Sequence, residues 1–307
     1  ACLQRFNYMN KTRAWIEAFR LRTLPLSLSC ILLGNLLAIS HGHLNVWVLI
    51  LSITTTLFIQ ILSNLANDYG DGVKGTDDER IGPRRAVQSG LISTSEMRNG
   101  MIIFTVLTFI SGVALTWTGT RNLSFDYLLF FIVLGIVAIV AAIKYTVGKS
   151  AYGYYGLGDL FVFVFFGIVG VGGSYFLQAN TINWQILLPA SSIGMLSVGV
   201  LNLNNMRDIV TDFKAGKHTL AVKMGLRNAK RYHGILLLGA VALALVYVEL
   251  NPGSPWQWIF VVSILPIFIN IRKVLRIHDP RSFDPLLKQL AIGTLLFSLT
   301  FGIGQII

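Results

Sequence analysis

The stretch "SNLANDYGDGVKGTDDERIGPRR", residues 63–85, decides how this chain is read. An apolar run reaches Ile61 and Leu62. Asparagines, aspartates and glycines follow within about three helical turns, and then a dense mix of acids and arginines. Carboxylates on an apolar helix lose hydration near a bilayer, so something cationic must neutralise them.

That apolar run is one of many. The 307 residues are 54% hydrophobic and 13% charged, with a mean hydropathy of +0.65. Soluble domains carry roughly 25% charged residues. A bilayer core takes about 20 apolar residues per helix. Nine such stretches are expected: 24–42, 45–64, 97–118, 124–143, 159–178, 184–203, 232–250, 256–275 and 286–306. The expected fold is all-α and polytopic, with nine transmembrane helices and helical caps in the long inner loops. Residues 1–22 read as a cytoplasmic N-terminal segment and 23–307 as a single transmembrane domain.

The net charge of +11 would suggest nucleic acid in a soluble protein. Position argues otherwise. If the N-terminus is inside and the nine helices alternate, every Lys and Arg except Arg121 falls on one side. The positive-inside rule then predicts an N-in, C-out protein of the inner (cytoplasmic) membrane. The excess charge is a topology signal, and no nucleic-acid partner is expected.

Outer connections such as "SHGHLN" and "NPGSPW" are short, whereas the inner ones after the second and sixth helices are long. Long loops tend to carry function. The second helix ends in "NLANDYGD" (64–71) and the sixth in "LNNMRDIVTD" (203–212), about 140 residues apart, which hints at a duplicated helical unit. A third inner segment, "KYTVGKSAYGYYGLGD" (144–159), is rich in Tyr and Gly. "GIVGVGGS" (167–174) reads as a small-residue face for close helix packing.

At 100° per residue, Asn64, Asp68 and Asp71 fall within about 60° of one another, with Asn67 beside them. Asn204, Asp208 and Asp212 span about 80°. Each set is a stripe of oxygen donors. Two kinds of neutralisation are open: ion pairs with the Lys and Arg of the same loops, or a bound divalent cation. Donors limited to oxygen, without His or Cys, favour Mg²⁺. Mg²⁺ usually shares one or two carboxylates with substrate phosphates, and neighbouring Lys and Arg suit the same phosphate oxygens. Acids and bases at one spot therefore point to a metal–diphosphate site. A cation channel or transporter is the alternative from another class, but the inner-loop cations would repel its cargo.

At these residues the sequence resembles the UbiA superfamily of intramembrane prenyltransferases. Asn67-x3-Asp71 and Asn204-x3-Asp208-x3-Asp212 match the family's motifs on its second and sixth helices. The first departs from the commoner pattern: Gly75 stands where a further Asp is usual, and Asp68, Asp77 or Asp78 would substitute. "LRTLPLS" (21–27), "YTVGKSAYGYYGLGD" (145–159) and "LNLNNMRDIVTDFKAGKHTLAVKMG" (201–225) are similar to the branch that prenylates 1,4-dihydroxy-2-naphthoate for menaquinone.

The resemblance implies transfer of a polyprenyl chain from its diphosphate to dihydroxynaphthoate with decarboxylation, giving demethylmenaquinone; 4-hydroxybenzoate is the alternative acceptor. It implies Mg²⁺ held among Asn64, Asn67, Asp68, Asp71, Asn204, Asp208 and Asp212. Asp71, Asp208, Lys149 and Arg80 would be catalytic. Arg20, Arg22, Arg85, Lys217 and Tyr145 would contact the diphosphate or the acceptor, and Tyr152 and Tyr154 could line the acceptor site. The active site would face the cytoplasm.

Overall fold

The computed structural model describes residues 2–74, 85–148 and 150–307, with side chains from residue 11 onward. The protein is an all-α polytopic membrane protein, and nine spans among the described residues are long and apolar enough to cross a bilayer. Helix α1 (Cys2–Phe19) precedes α2 (Leu24–Ser40). Then come α3 (Val46–Lys74), α4 (Thr94–Thr120) and α5 (Phe125–Lys144). The fifth span is composite: α6 (Gly158–Val162), a π-helical stretch (Phe163–Gly173) and α7 (Ser174–Ala179). After it run α8 (Leu187–Arg207), α9 (Ile209–Lys214), α10 (Leu220–Leu250), α11 (Val261–Arg276) and α12 (Asp284–Ile306).

The expected spans are all present, but two of them are too short in the sequence reading. Helix α3 runs ten residues past the expected end at 64, so the whole Asn/Asp stripe is helical. Helix α10 starts at Leu220 rather than 232 and turns at Gly225, whose φ of +73° is a left-handed backbone that glycine adopts without strain. Polar residues do not end a helix by themselves when packing continues.

Two hydrophobic cores hold the bundle. The larger joins α2, the π stretch and α8 to α10–α12. The smaller joins α1, α3 and α4, with Ile92 and Ala86 of the connection before α4. The central helix is α8, rich in small residues such as Ala190, Gly194 and Gly199, which let neighbours approach. An added Cβ on Gly194 would meet Phe163 Cδ2 at 2.8 Å. By contrast α5 exposes Phe125, Leu129, Phe130 and Val133, as a lipid-facing helix does. The N-terminal helix is docked rather than separate: Trp15 packs against Gly100, Lys11 pairs with Glu96, and Glu96 closes a capping box with Ser93 at the start of α4.

Candidate active site

Between the two cores lies a cavity of about 480 Å³. Its α3 wall runs from Asp71 to Ser52, about 28 Å of helical rise and close to the thickness of a hydrocarbon core. One end is polar and the remainder is walled by apolar side chains of α2, α4, α5 and the π stretch. Gly170 and Gly173 line it as well, while Gly167 packs against the Ala190 carbonyl and Gly194. The small-residue face therefore serves both packing and cavity. At the deep end, Gln178 donates to Asn35 Oδ1 at 2.7 Å and accepts the Asn45 N–H at 2.7 Å, and Asn35 donates to Ser52 at 3.2 Å. This polar cluster ties α2, α3 and α7 together.

At the polar end both stripes meet. Asn64, Asn67 and Asp71 line the cavity from α3, and Asn204, Asp208 and Asp212 line it from α8 and α9. Asp71 is buried. Its Oδ2 accepts from Arg85 Nη2 at 2.6 Å, and its Oδ1 accepts from the Tyr154 phenol at 2.7 Å and Lys217 Nζ at 3.1 Å. Lys217 Nζ is also 3.8 Å from Asp212 Oδ1, so one ammonium touches both stripes. The chain breaks regular helix at Asp208 (φ −94°, ψ 10°), yet the Asp212 N–H still bonds the Asp208 carbonyl at 2.8 Å and keeps the stripe aligned.

Asp68 stands apart from the other oxygen donors. It does not line the cavity; its two carboxylate oxygens accept the Ala86 N–H at 3.0 Å and the Val87 N–H at 3.2 Å. Successive helical residues are 100° apart, so Asp68 lies a full step round from Asn67 and falls off the cavity face. There it anchors the segment that delivers Arg85. Arg22 also departs from expectation: it lies outside the cavity wall, half-exposed and 3.9 Å from Asp284. Arg20, Arg85, Lys217 and Tyr145 do line the cavity. Arg20 takes a left-handed backbone (φ 49°), and its carbonyl caps Thr23, whose hydroxyl accepts from Gln60 and Asn64. Arg80, Lys149, Gly75, Asp77 and Asp78 lie outside the described residues.

Sequence reasoning missed Arg207. Buried on α8, it forks onto both oxygens of Asp208 at 2.7 Å, donates to Asn204 Oδ1 at 2.8 Å and reaches Asp284 Oδ1 on α12 at 2.6 Å. A bidentate guanidinium–carboxylate pair fixes orientation as well as charge. The available signal was an arginine next to an aspartate inside a buried stripe, where it needs a partner.

Thr146, just after α5, also went unnoticed. Its hydroxyl donates to the Ala66 carbonyl at 3.0 Å and to Asn67 Oδ1 at 3.1 Å. This contact requires glycine at 70, where a Cβ would stand 2.8 Å from the Thr146 backbone. Loss of hydration pushes the Tyr145 and Tyr152 phenols above their ordinary value, so both stay neutral hydrogen-bonding groups.

Residues 27–299 match the sequence pattern of the UbiA prenyltransferase family. The chain belongs to that family. Family relatives include the 1,4-dihydroxy-2-naphthoate octaprenyltransferase of Escherichia coli K12, 43% identical over 297 residues and covering 96% of each chain. The enzyme of the same name from Haemophilus influenzae is 43% identical over 300 residues, or 97% of each chain. Among solved structures, a UbiA homolog from Aeropyrum pernix K1 superposes with a TM-score of 0.67 at 17% identity, over 93% of this chain and 97% of that one. A UbiA homolog from Archaeoglobus fulgidus, solved with DMAPP and Mg²⁺, gives 0.65 at 16% identity over 93% and 98%. At those identities the likeness concerns the fold.

The donor set suits a hard cation. Oxygens of Asn67, Asp71, Asn204, Asp208 and Asp212 line one cavity with no sulfur or imidazole among them. Among the described residues no three His, Cys, Asp or Glu side chains form a ready cage.

Proposed function

We propose that this chain transfers a polyprenyl group from its diphosphate to 1,4-dihydroxy-2-naphthoate, giving demethylmenaquinol, the hydroquinone form of demethylmenaquinone. The allylic C–O bond breaks and diphosphate leaves. A C–C bond forms at the ring carbon that bears the carboxylate, and CO₂ departs to restore aromaticity. One observation carries the reading: carboxylate stripes from α3 and α8–α9 share, with Arg20, Arg85 and Lys217, the polar end of a cavity whose other walls are apolar.

Mg²⁺ held by Asn67, Asp71, Asn204, Asp208 and Asp212 would supply charge stabilisation on the leaving diphosphate. The protein's own groups divide the remaining work. Lys217 and Arg85 stand where phosphate oxygens can draw them off Asp71, and Arg20 faces the same end. Arg207 holds Asp208 in place from behind. The apolar walls take the isoprenoid chain and keep water from the electrophile. Arg80 and Lys149 are proposed as further diphosphate contacts on the family resemblance. Residues 1–22 are read as the cytoplasmic N-terminal segment before a single transmembrane domain, 23–307, placed N-in and C-out in the inner membrane with the polar end toward the cytoplasm.

The test is an acceptor panel with one labelled polyprenyl diphosphate and detergent-solubilised protein. Dihydroxynaphthoate should be prenylated with Mg²⁺, and EDTA should stop the reaction. Incorporation only into 4-hydroxybenzoate would refute the acceptor, and ion flux without any turnover would refute the enzyme.

A further inference from the structure

The division of labour above leaves Tyr154 without a role. It lies in the connection between α5 and α6, and its backbone carbonyl accepts the His218 N–H at 2.8 Å. Its phenol donates to Asp71 Oδ1 at 2.7 Å. Two ammonium groups bear on its ring: Lys74 Nζ lies 3.8 Å from the centroid and Lys217 Nζ 4.8 Å. The Asp71 oxygen that takes the phenol also takes Lys217, at 3.1 Å. Tyr154 and Lys217 thus serve the same carboxylate oxygen, while the ring attracts that same lysine.

This arrangement bears on how Lys217 can reach a bound anion. A lysine moving from Asp71 to a phosphate oxygen would strip a buried carboxylate oxygen of a charged donor until a cation takes its place, which is unfavourable where water is scarce. With the phenol in place the oxygen keeps a donor. The ring face then holds the ammonium close by through cation–π attraction, with no hydrogen bond to break. We propose that Tyr154 is a positioning residue that releases Lys217 from Asp71 to the diphosphate. The inference deepens the reading of the cavity as a diphosphate site and rests on it.

A purely structural bolt would act through the backbone bond to His218, which substitution of the side chain leaves in place. The test therefore removes the hydroxyl alone. Binding of inorganic diphosphate with Mg²⁺ to the solubilised full chain is measured by calorimetry and by thermal shift. Tyr154→Phe should weaken binding by roughly tenfold to a hundredfold, the worth of one hydrogen bond to a charged group, and lower the unliganded melting temperature by only a few degrees, because Lys217 still donates to Asp71 Oδ1 there. Lys217→Ala should also weaken it, and the double variant should be no worse than Lys217→Ala, because Tyr154 acts through that lysine.

Binding of Tyr154→Phe within twofold of the parent would overturn the proposal, as would full additivity of the two substitutions. If the parent itself fails to bind diphosphate, the diphosphate reading falls first and takes this one with it. A second measurement stands apart from folding of the variant: in the parent, diphosphate should protect Lys217 from acetylation, read by mass spectrometry. Unchanged Lys217 labelling in the bound parent would equally overturn the release.

Discussion

Asp68→Asn separates an anchor from a metal ligand. Asp68 is buried and gives its two oxygens to the Ala86 and Val87 N–H groups at 3.0 and 3.2 Å. The amide keeps one acceptor and turns a donor toward the other N–H, so one bond is lost and one buried N–H is left without a partner. Each such loss costs about 1–3 kcal/mol. At roughly 2–4 °C per kcal/mol for a chain of this size, the melting temperature should fall by about 3–10 °C. Arg85 follows Ala86 in space, so its 2.6 Å bond to Asp71 should loosen and turnover should drop as well.

Two assays on the same detergent-solubilised sample decide the matter. Tryptophan fluorescence on heating reads stability, and a Mg²⁺ titration of prenyl transfer reads metal demand. The anchor role predicts lower stability with the half-saturating Mg²⁺ concentration within about twofold of the parent. Loss of a ligand would raise that concentration by roughly tenfold or more. An unchanged melting temperature together with such a rise would refute the reasoning.

Other expectations follow from the same geometry. Asp71→Asn and Asp208→Asn should each reduce transfer at least about a hundredfold, because preorganised charge is the largest catalytic contribution expected here; near-parental rates in either would remove that carboxylate from the site. Arg207→Gln should destabilise by about 3–5 kcal/mol, since Asp208 would lose its buried partner; Asp284→Asn should do less, its carboxylate being 42% exposed, and comparative melting checks the order. Gly34→Ala would place a Cβ 2.0 Å from Ser174 Oγ and 2.3 Å from the Val171 carbonyl, at a cost of about 1–3 kcal/mol or more. Gly172→Ala, with nothing within 4 Å, is the matched control, and the melting temperatures of the pair test the clash. The Tyr145 and Tyr152 phenols are raised in the folded state, so their stabilisation is present below the unfolded value of about 10 and is lost as pH climbs past it. Tyr145→Phe should flatten that alkaline decline in melting experiments.

The nine spans were legible because hydropathy and the distribution of Lys and Arg are one-dimensional signals. The Asn204–Asp208–Asp212 stripe was legible for a similar reason: four-residue spacing maps onto one helix face. Asp68 satisfied that same spacing and yet belongs to a different neighbourhood, because only the returning chain at Ala86 decides which side of α3 is cavity and which is wall. Arg207 looked like one more inner-loop cation until Asp284, far away in sequence, was seen beside it. In the sequence Tyr154 is one of several tyrosines, and nothing local shows that its hydroxyl reaches Asp71. The π-helical turns of 163–173 left no mark in the pattern, because FVFFGIVGVGG is apolar or glycine throughout and has no polar positions from which a phase could be read.

The knot of Asn35, Ser52, Asn45 and Gln178 gives the protein a direction. A membrane that stores a voltage cannot tolerate a wet aisle from face to face, and a greasy slot crowded with ions at its lip would be a dangerous start on one. Crossing hydrogen bonds among three helices at the far end brace the wall there against parting when a bulky tail is drawn in. The two ends of the slot therefore differ: ionic groups gather at one, and at the other the helices are tied to one another.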